Sequence, residues 1–129
     1  MKVGFFSAKP YDIDHFDRIN QTFGLQIEYF DYRLCLQTVR LAHGFDVVCA
    51  FVNDSLGDEV LTELSKNGTK VIAMRCAGFN NVDLEAAKRL NLKVVNVPSY
   101  SPESVAEHTV ALMLTLNRKV HKAYQRTRD

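Results

Sequence analysis

Short apolar runs alternate along this chain with stretches whose apolar residues recur every three or four positions. The first run, K-V-G-F-F-S (Lys2 to Ser7), predicts a strand. Ile13, Phe16, Ile19 and Phe23 then follow helical spacing, and Gly24 is placed to close that helix. L-Q-I-E-Y-F (Leu25 to Phe30) alternates apolar and polar residues, as a half-buried strand near a sheet edge does. A weaker helical pattern over Leu34 to His43 ends at Gly44, and D-V-V-C-A-F-V (Asp46 to Val52) reads as a central strand covered on both faces. After the loop N-D-S-L-G, Gly57 or Asp58 opens a helix that stops at Gly68. K-V-I-A-M-R makes a fourth strand, V-D-L-E-A-A-K-R-L a further helix, and K-V-V-N-V a fifth strand.

Strand and helix alternating with short connections predict a doubly wound α/β domain, a parallel sheet of about five strands with helices on both faces. The last segment leaves that rhythm. Ser101 is placed as an N-cap and Pro102 at the first helical position. Val105, Thr109, Leu112, Leu116, Val120 and Ala123 then form one stripe, with Met113 and Tyr124 beside it. No glycine or proline interrupts this stretch up to Asp129. The expectation is one helix of roughly 42 Å, either cut short or projecting toward something outside the domain.

Composition narrows the classes. A chain of 129 residues with 47% hydrophobic and 24% charged residues is sized for one folded domain rather than disorder. A net charge of +1 gives no general attraction to nucleic acid or an anionic membrane. The five cations between Arg118 and Arg128 carry no interleaved stacking aromatics, which favours a solvated face or a subunit contact. No run is long enough for a signal peptide or a membrane span, so a cytoplasmic protein is expected. Cys35, Cys49 and Cys76 stand too far apart for a C-x-x-C pair and are expected as reduced thiols. The four histidines have no partner at metal spacing, and no metal site is predicted. Asp12 and Asp14 are read as complementing a helix N-terminus.

In open parallel sheets ligands gather beyond the carboxyl ends of the strands. One such end carries R-C-A-G-F-N-N-V-D, Arg75 to Asp83. Small Cys76, Ala77 and Gly78 allow a ligand close to the main chain, Asn80 or Asn81 is expected to cap the next helix, and Asp83 suits its positive end. Two readings stand at this point. The turn is a nest of backbone N–H groups for a carboxylate or phosphate, with Arg75 adding charge, or it is a plain strand-to-helix turn. The loop after the first strand is S-A-K-P, not a glycine-rich dinucleotide loop; neither a P-loop nor G-x-S-x-G occurs.

Taken together, V-C-A-F-V-N-D, R-C-A-G-F-N-N-V-D, V-P-S-Y-S-P-E-S-V-A-E-H and the basic terminal stretch resemble the NAD-dependent D-2-hydroxyacid dehydrogenase family, and within it the D-lactate branch of fermenting bacteria. The resemblance implies a flavodoxin-like substrate-binding domain over residues 1–100. It also implies an inter-domain helix over 101–129, leading to a Rossmann NAD-binding domain absent from this chain. It implies that backbone N–H groups at Ala77 and Gly78 hold the substrate carboxylate, which tips the balance toward the nest. By the same resemblance Tyr100 borders the pocket and Val105 approaches the nicotinamide of NAD. The activity implied is reversible reduction of pyruvate to D-lactate by NADH, in a homo-oligomer, a dimer or a tetramer. The family's arginine, glutamate and histidine for the chemical step match no residue here, so residues 1–129 alone are expected to be inactive. The rival expectation is a stand-alone carboxylate-binding module without hydride chemistry.

Overall fold

β-branched and aromatic residues build five short strands, β1 (Lys2–Phe5), β2 (Gln26–Tyr29), β3 (Val47–Ala50), β4 (Val71–Met74) and β5 (Lys93–Val95). They pair in the order β2-β1-β3-β4-β5, every pairing parallel. This is the flavodoxin-like order, with its switch point between β1 and β3. The structure is a computed structural model describing residues 1–128, and it forms two compact units, Met1–Pro98 and the segment from Ser99 onward.

The alternation of each strand divides the first unit's core in two. Val48, Ala50, Ile72 and Met74 pack with Leu56, Leu61, Leu64, Ala86 and Ala87 of the chain through α2 (Asp58–Lys66) and α3 (Leu84–Arg89). Val3, Phe5, Val47 and Cys49 point the other way, with partly buried Ile13 of α1 (Pro10–Phe23) against them. Burying a large aliphatic or aromatic side chain stabilises by roughly 1.5–3 kcal/mol, so Phe5, Phe6, Leu61 and Ile72, all fully buried, dominate the fold. Gly4 matters by its missing side chain, because a Cβ there would lie 3.1 Å from the Phe45 ring.

The edge position of β2 and the central, wholly buried β3 agree with the alternating and continuous apolar patterns read from the chain. Gly24 ends α1 in the left-handed conformation, φ 64, its N–H donating to Asn20 O at 2.7 Å. The expected helix over Leu34 to His43 shrinks to a 3-10 turn, Val39–Ala42. The Thr38 hydroxyl explains this: it donates to Arg33 O at 2.6 Å and accepts from Cys35 N at 3.0 Å, local bonds that compete with a helical ladder.

The second unit contains α4 (Pro102–Arg118) and α5 (Val120–Arg128). Ser101 caps α4, its Oγ accepting from Ser104 N at 3.4 Å. The single unbroken helix expected from the apolar stripe is not formed. Lys119 adopts the left-handed conformation, φ 52 and ψ 38, with its N–H on Thr115 O, and divides the stripe so that Val120 and Ala123 fall in α5. A lysine there costs roughly 1–2 kcal/mol relative to helix, and no described contact explains why the break falls at this residue. Among the described residues no helix is long and apolar enough to cross a membrane.

Candidate functional site

β4 continues its ladder through Arg75, whose N–H donates to Ala50 O at 3.0 Å, and then leaves the sheet. The chain turns from Cys76 to Asn81 before α3 begins, and the carbonyls of this turn are tied back to protein. Cys76 O accepts from Val97 N at 3.2 Å, Ala77 O from Asn96 Nδ2 at 2.8 Å, and Gly78 O from Cys76 Sγ at 3.2 Å. The N–H groups of Ala77, Gly78 and Phe79 donate to no acceptor among the described residues. A turn whose carbonyls are engaged while successive N–H groups stay open carries positive potential outward, as an anion nest does. Gly78 is exposed, and nothing lies within 4 Å of where its Cβ would stand. The open space in front of this main chain is therefore available to a ligand rather than filled by protein.

Arg75 is placed differently from a free surface cation. Its side chain is only 12% exposed, and its guanidinium donates to Phe6 O at 2.9 Å and Ser7 O at 2.7 Å. It lies over the rings of Phe5 and Phe51, 4.5 and 4.7 Å from their centroids, and 3.8 Å from Asp12 Oδ2. Asp12 also accepts from Lys9 N at 2.9 Å, in keeping with its place at the start of α1.

Asp83 stands at the positive end of α3 as expected, and it, rather than Asn80 or Asn81, also supplies the cap. Asp83 caps α3, accepting from Ala86 N at 2.9 Å, whereas Asn81 sends its amide to Phe51 O and Asp54 O at 3.1 and 2.9 Å. The reason is spacing: the helix starts at Leu84, so only residue 83 can reach the N–H three positions on. Asn80 is exposed and caps nothing.

Asp54, which the sequence pattern places simply in a loop, is a buried anchor in the structure. The residue is 2% exposed, and its carboxylate accepts from Ser7 Oγ (2.6 Å), Leu34 N (2.9 Å) and Phe51 N (2.6 Å). An acidic residue directly beyond an apolar parallel strand was the one available signal. A cleft of about 520 Å³ lined by Arg33, Asn53, Asn80, Asn81 and Asp83 adjoins the far end of the same turn.

Burial pushes the Cys76 thiol up and raises that of Cys49 to about 11, so both stay neutral near pH 7. Cys35 moves the other way, lowered first by the Thr38 hydroxyl 3.4 Å from its sulfur. Tyr100 and Val105 belong to the second unit; Tyr100 precedes α4 and Val105 lies in its first turns, both exposed. No group of residues able to hold a metal occurs among the described residues.

Comparison with known proteins agrees with this fold. Residues 3–129 match the family described as D-isomer specific 2-hydroxyacid dehydrogenase, catalytic domain. The chain is 55% identical to a D-lactate dehydrogenase of Escherichia coli over 129 residues, all of this chain and 39% of that protein. It is 54% identical to a 2-hydroxyacid dehydrogenase homolog of Haemophilus influenzae, again over the whole chain and 39% of the relative. Among solved structures, the apo-structure of D-lactate dehydrogenase from Escherichia coli superposes with a TM-score of 0.87 at 55% identity, covering 100% of this chain and 41% of that one. The NAD complexed form of a D-isomer specific 2-hydroxyacid dehydrogenase from Lactobacillus delbrueckii gives 0.72 at 30% identity, covering 98% and 39%. The chain thus spans about two fifths of the relatives it matches. A parallel sheet in the flavodoxin-like order and a family match over nearly every residue lead to one assignment: the chain belongs to the D-isomer specific 2-hydroxyacid dehydrogenases, within their catalytic domain.

Proposed function

We propose that residues 1–129 are the carboxylate-binding portion of an NAD-dependent D-lactate dehydrogenase that reduces pyruvate reversibly to D-lactate. The observation that carries this reading is the Cys76–Phe79 turn, with carbonyls engaged and the N–H groups of Ala77, Gly78 and Phe79 open. Two N–H donors aimed at one carboxylate fix its plane. They hold the adjoining carbonyl carbon in a constant place, which is the positional contribution a hydride transfer needs. Tyr100 would border the substrate and Val105 would present an apolar side chain to the nicotinamide, both assigned by family resemblance.

NAD supplies the hydride chemistry when bound, and this chain offers it little else. The loop after β1, S-A-K-P, has no glycine-rich phosphate cradle, so the dinucleotide is held by other parts of the protein. The groups that polarise the substrate carbonyl and carry its proton are likewise assigned outside residues 1–129. The exposed apolar residues of α4, including Leu112, Met113 and Leu116, call for a cover, in keeping with a homo-oligomeric dimer or tetramer.

The test is substrate kinetics on the full-length protein with Gly78→Ala. A methyl group fits the empty space sterically and fills the place of the ligand. The expected result is a pyruvate KM raised about tenfold or more with the KM for NADH unchanged, the pattern of lost substrate binding. An unchanged pyruvate KM would remove the turn from the substrate site.

A further inference from the structure

The two residues flanking the open turn are anchored in one and the same cluster. Arg75, directly before it, reaches Phe6 O and Ser7 O; Asn81, after it, reaches Phe51 O and Asp54 O. Ser7 is the centre of that cluster. It is a non-glycine residue with φ 54, a conformation held only where the surroundings enforce it. Each of its polar groups has a partner: the N–H donates to Tyr32 O at 2.8 Å, the hydroxyl to Asp54 Oδ1 at 2.6 Å, and the carbonyl accepts from Arg75 at 2.7 Å. Asp54 in turn holds Phe51 N at 2.6 Å, and the Phe51 ring returns to the Arg75 guanidinium at 4.7 Å. The circuit Arg75–Ser7–Asp54–Phe51 is closed, and the turn bridges it.

Resting on the function proposed above, we infer that Arg75, Ser7 and Asp54 are positioning residues that set the geometry of the Ala77–Gly78 nest. Arg75 acts on the substrate through the turn and not by touching its carboxylate. A planar guanidinium bonded to two successive carbonyls and stacked between two rings fixes the chain leading into the turn; a lysine ammonium cannot make that set of contacts. Ser7 contributes no atom to the nest itself, which separates positioning from contact.

The experiment compares Arg75→Lys, Ser7→Gly and the double variant in the full-length protein, with pyruvate and NADH. Glycine takes φ 54 without a Cβ penalty, so Ser7→Gly removes the hydroxyl while keeping the fold. The expected result is a pyruvate KM raised tenfold or more by Arg75→Lys and at least threefold by Ser7→Gly. Turnover number and KM for NADH stay within twofold, and the double variant is no worse than Arg75→Lys alone. A merely structural role would lower the amount of active enzyme and leave KM where it was. Multiplying effects in the double variant, or an unchanged KM in Ser7→Gly, overturn the inference, the former by making Arg75 a direct contact. If Arg75→Lys does not accumulate, Ser7→Gly alone decides, by the same KM criterion. A wild-type protein that turns over no 2-oxo acid defeats the proposed function and this inference together, an outcome distinct from altered additivity in an active enzyme.

Discussion

Gly78 is placed for approach rather than for backbone freedom. Its φ is not among the positive values of the chain, so alanine fits its backbone, and the surface substitution should change stability by less than about 0.5 kcal/mol. Thermal unfolding of Gly78→Ala would check that the expected loss of pyruvate affinity belongs to the site and not to the fold. The thiols give a second residue-scale prediction. Burial raises Cys49 to about 11 and also raises Cys76, whereas the Thr38 hydroxyl lowers Cys35. Limited alkylation near pH 7.5 followed by peptide mass mapping should modify Cys35 first and Cys49 last, since the thiolate is the reacting form. Cys49 also carries a pH dependence. Its folded pKa lies above the ordinary thiol value of 9.0, so its contribution is fully present below pH 9 and is lost as pH rises toward about 11. The loss amounts to roughly 1.4 kcal/mol for each pH unit separating the folded and unfolded values. Cys49→Ala should flatten the fall in stability over that window in denaturant titrations at stepped pH. At this scale the small residues 76–78 were legible because local composition states what a close approach needs. Asp54 was not, because its partners at positions 7, 34 and 51 lie beyond β1, β2 and β3 and converge only when the three strands pair.

Elements followed their signals where the signal was local. Gly24 closes α1, and the continuous apolar run over Val47–Ala50 is the wholly buried β3. They departed where a single side chain redirected the backbone. Thr38 draws the segment around it into tight turns, and Asp83 rather than Asn80 or Asn81 caps α3. The cap makes a prediction: Asp83→Ala should destabilise by about 1 kcal/mol and lower the unfolding midpoint of the first unit by roughly 4–8 °C. Asn80→Ala should leave it nearly unchanged. Scanning calorimetry on both variants separates the assignments. The break at Lys119 has no glycine or proline to announce it, which is why an uninterrupted apolar stripe reads as one helix.

For the whole molecule, the sheet order and the turn beyond β4 make residues 1–98 a scaffold that presents open N–H groups, while the second unit presents exposed apolar helix. On the proposed function, residues 1–129 alone should oxidise no NADH in the presence of pyruvate, whereas the full-length protein should. The most direct measurement is the initial rate of NADH oxidation by the full-length protein with pyruvate, with the configuration of the lactate formed determined on the same sample. Pyruvate-dependent oxidation with one D-lactate formed per NADH consumed is the expected result. No pyruvate-dependent oxidation, or formation of the L-enantiomer, would contradict the proposed function.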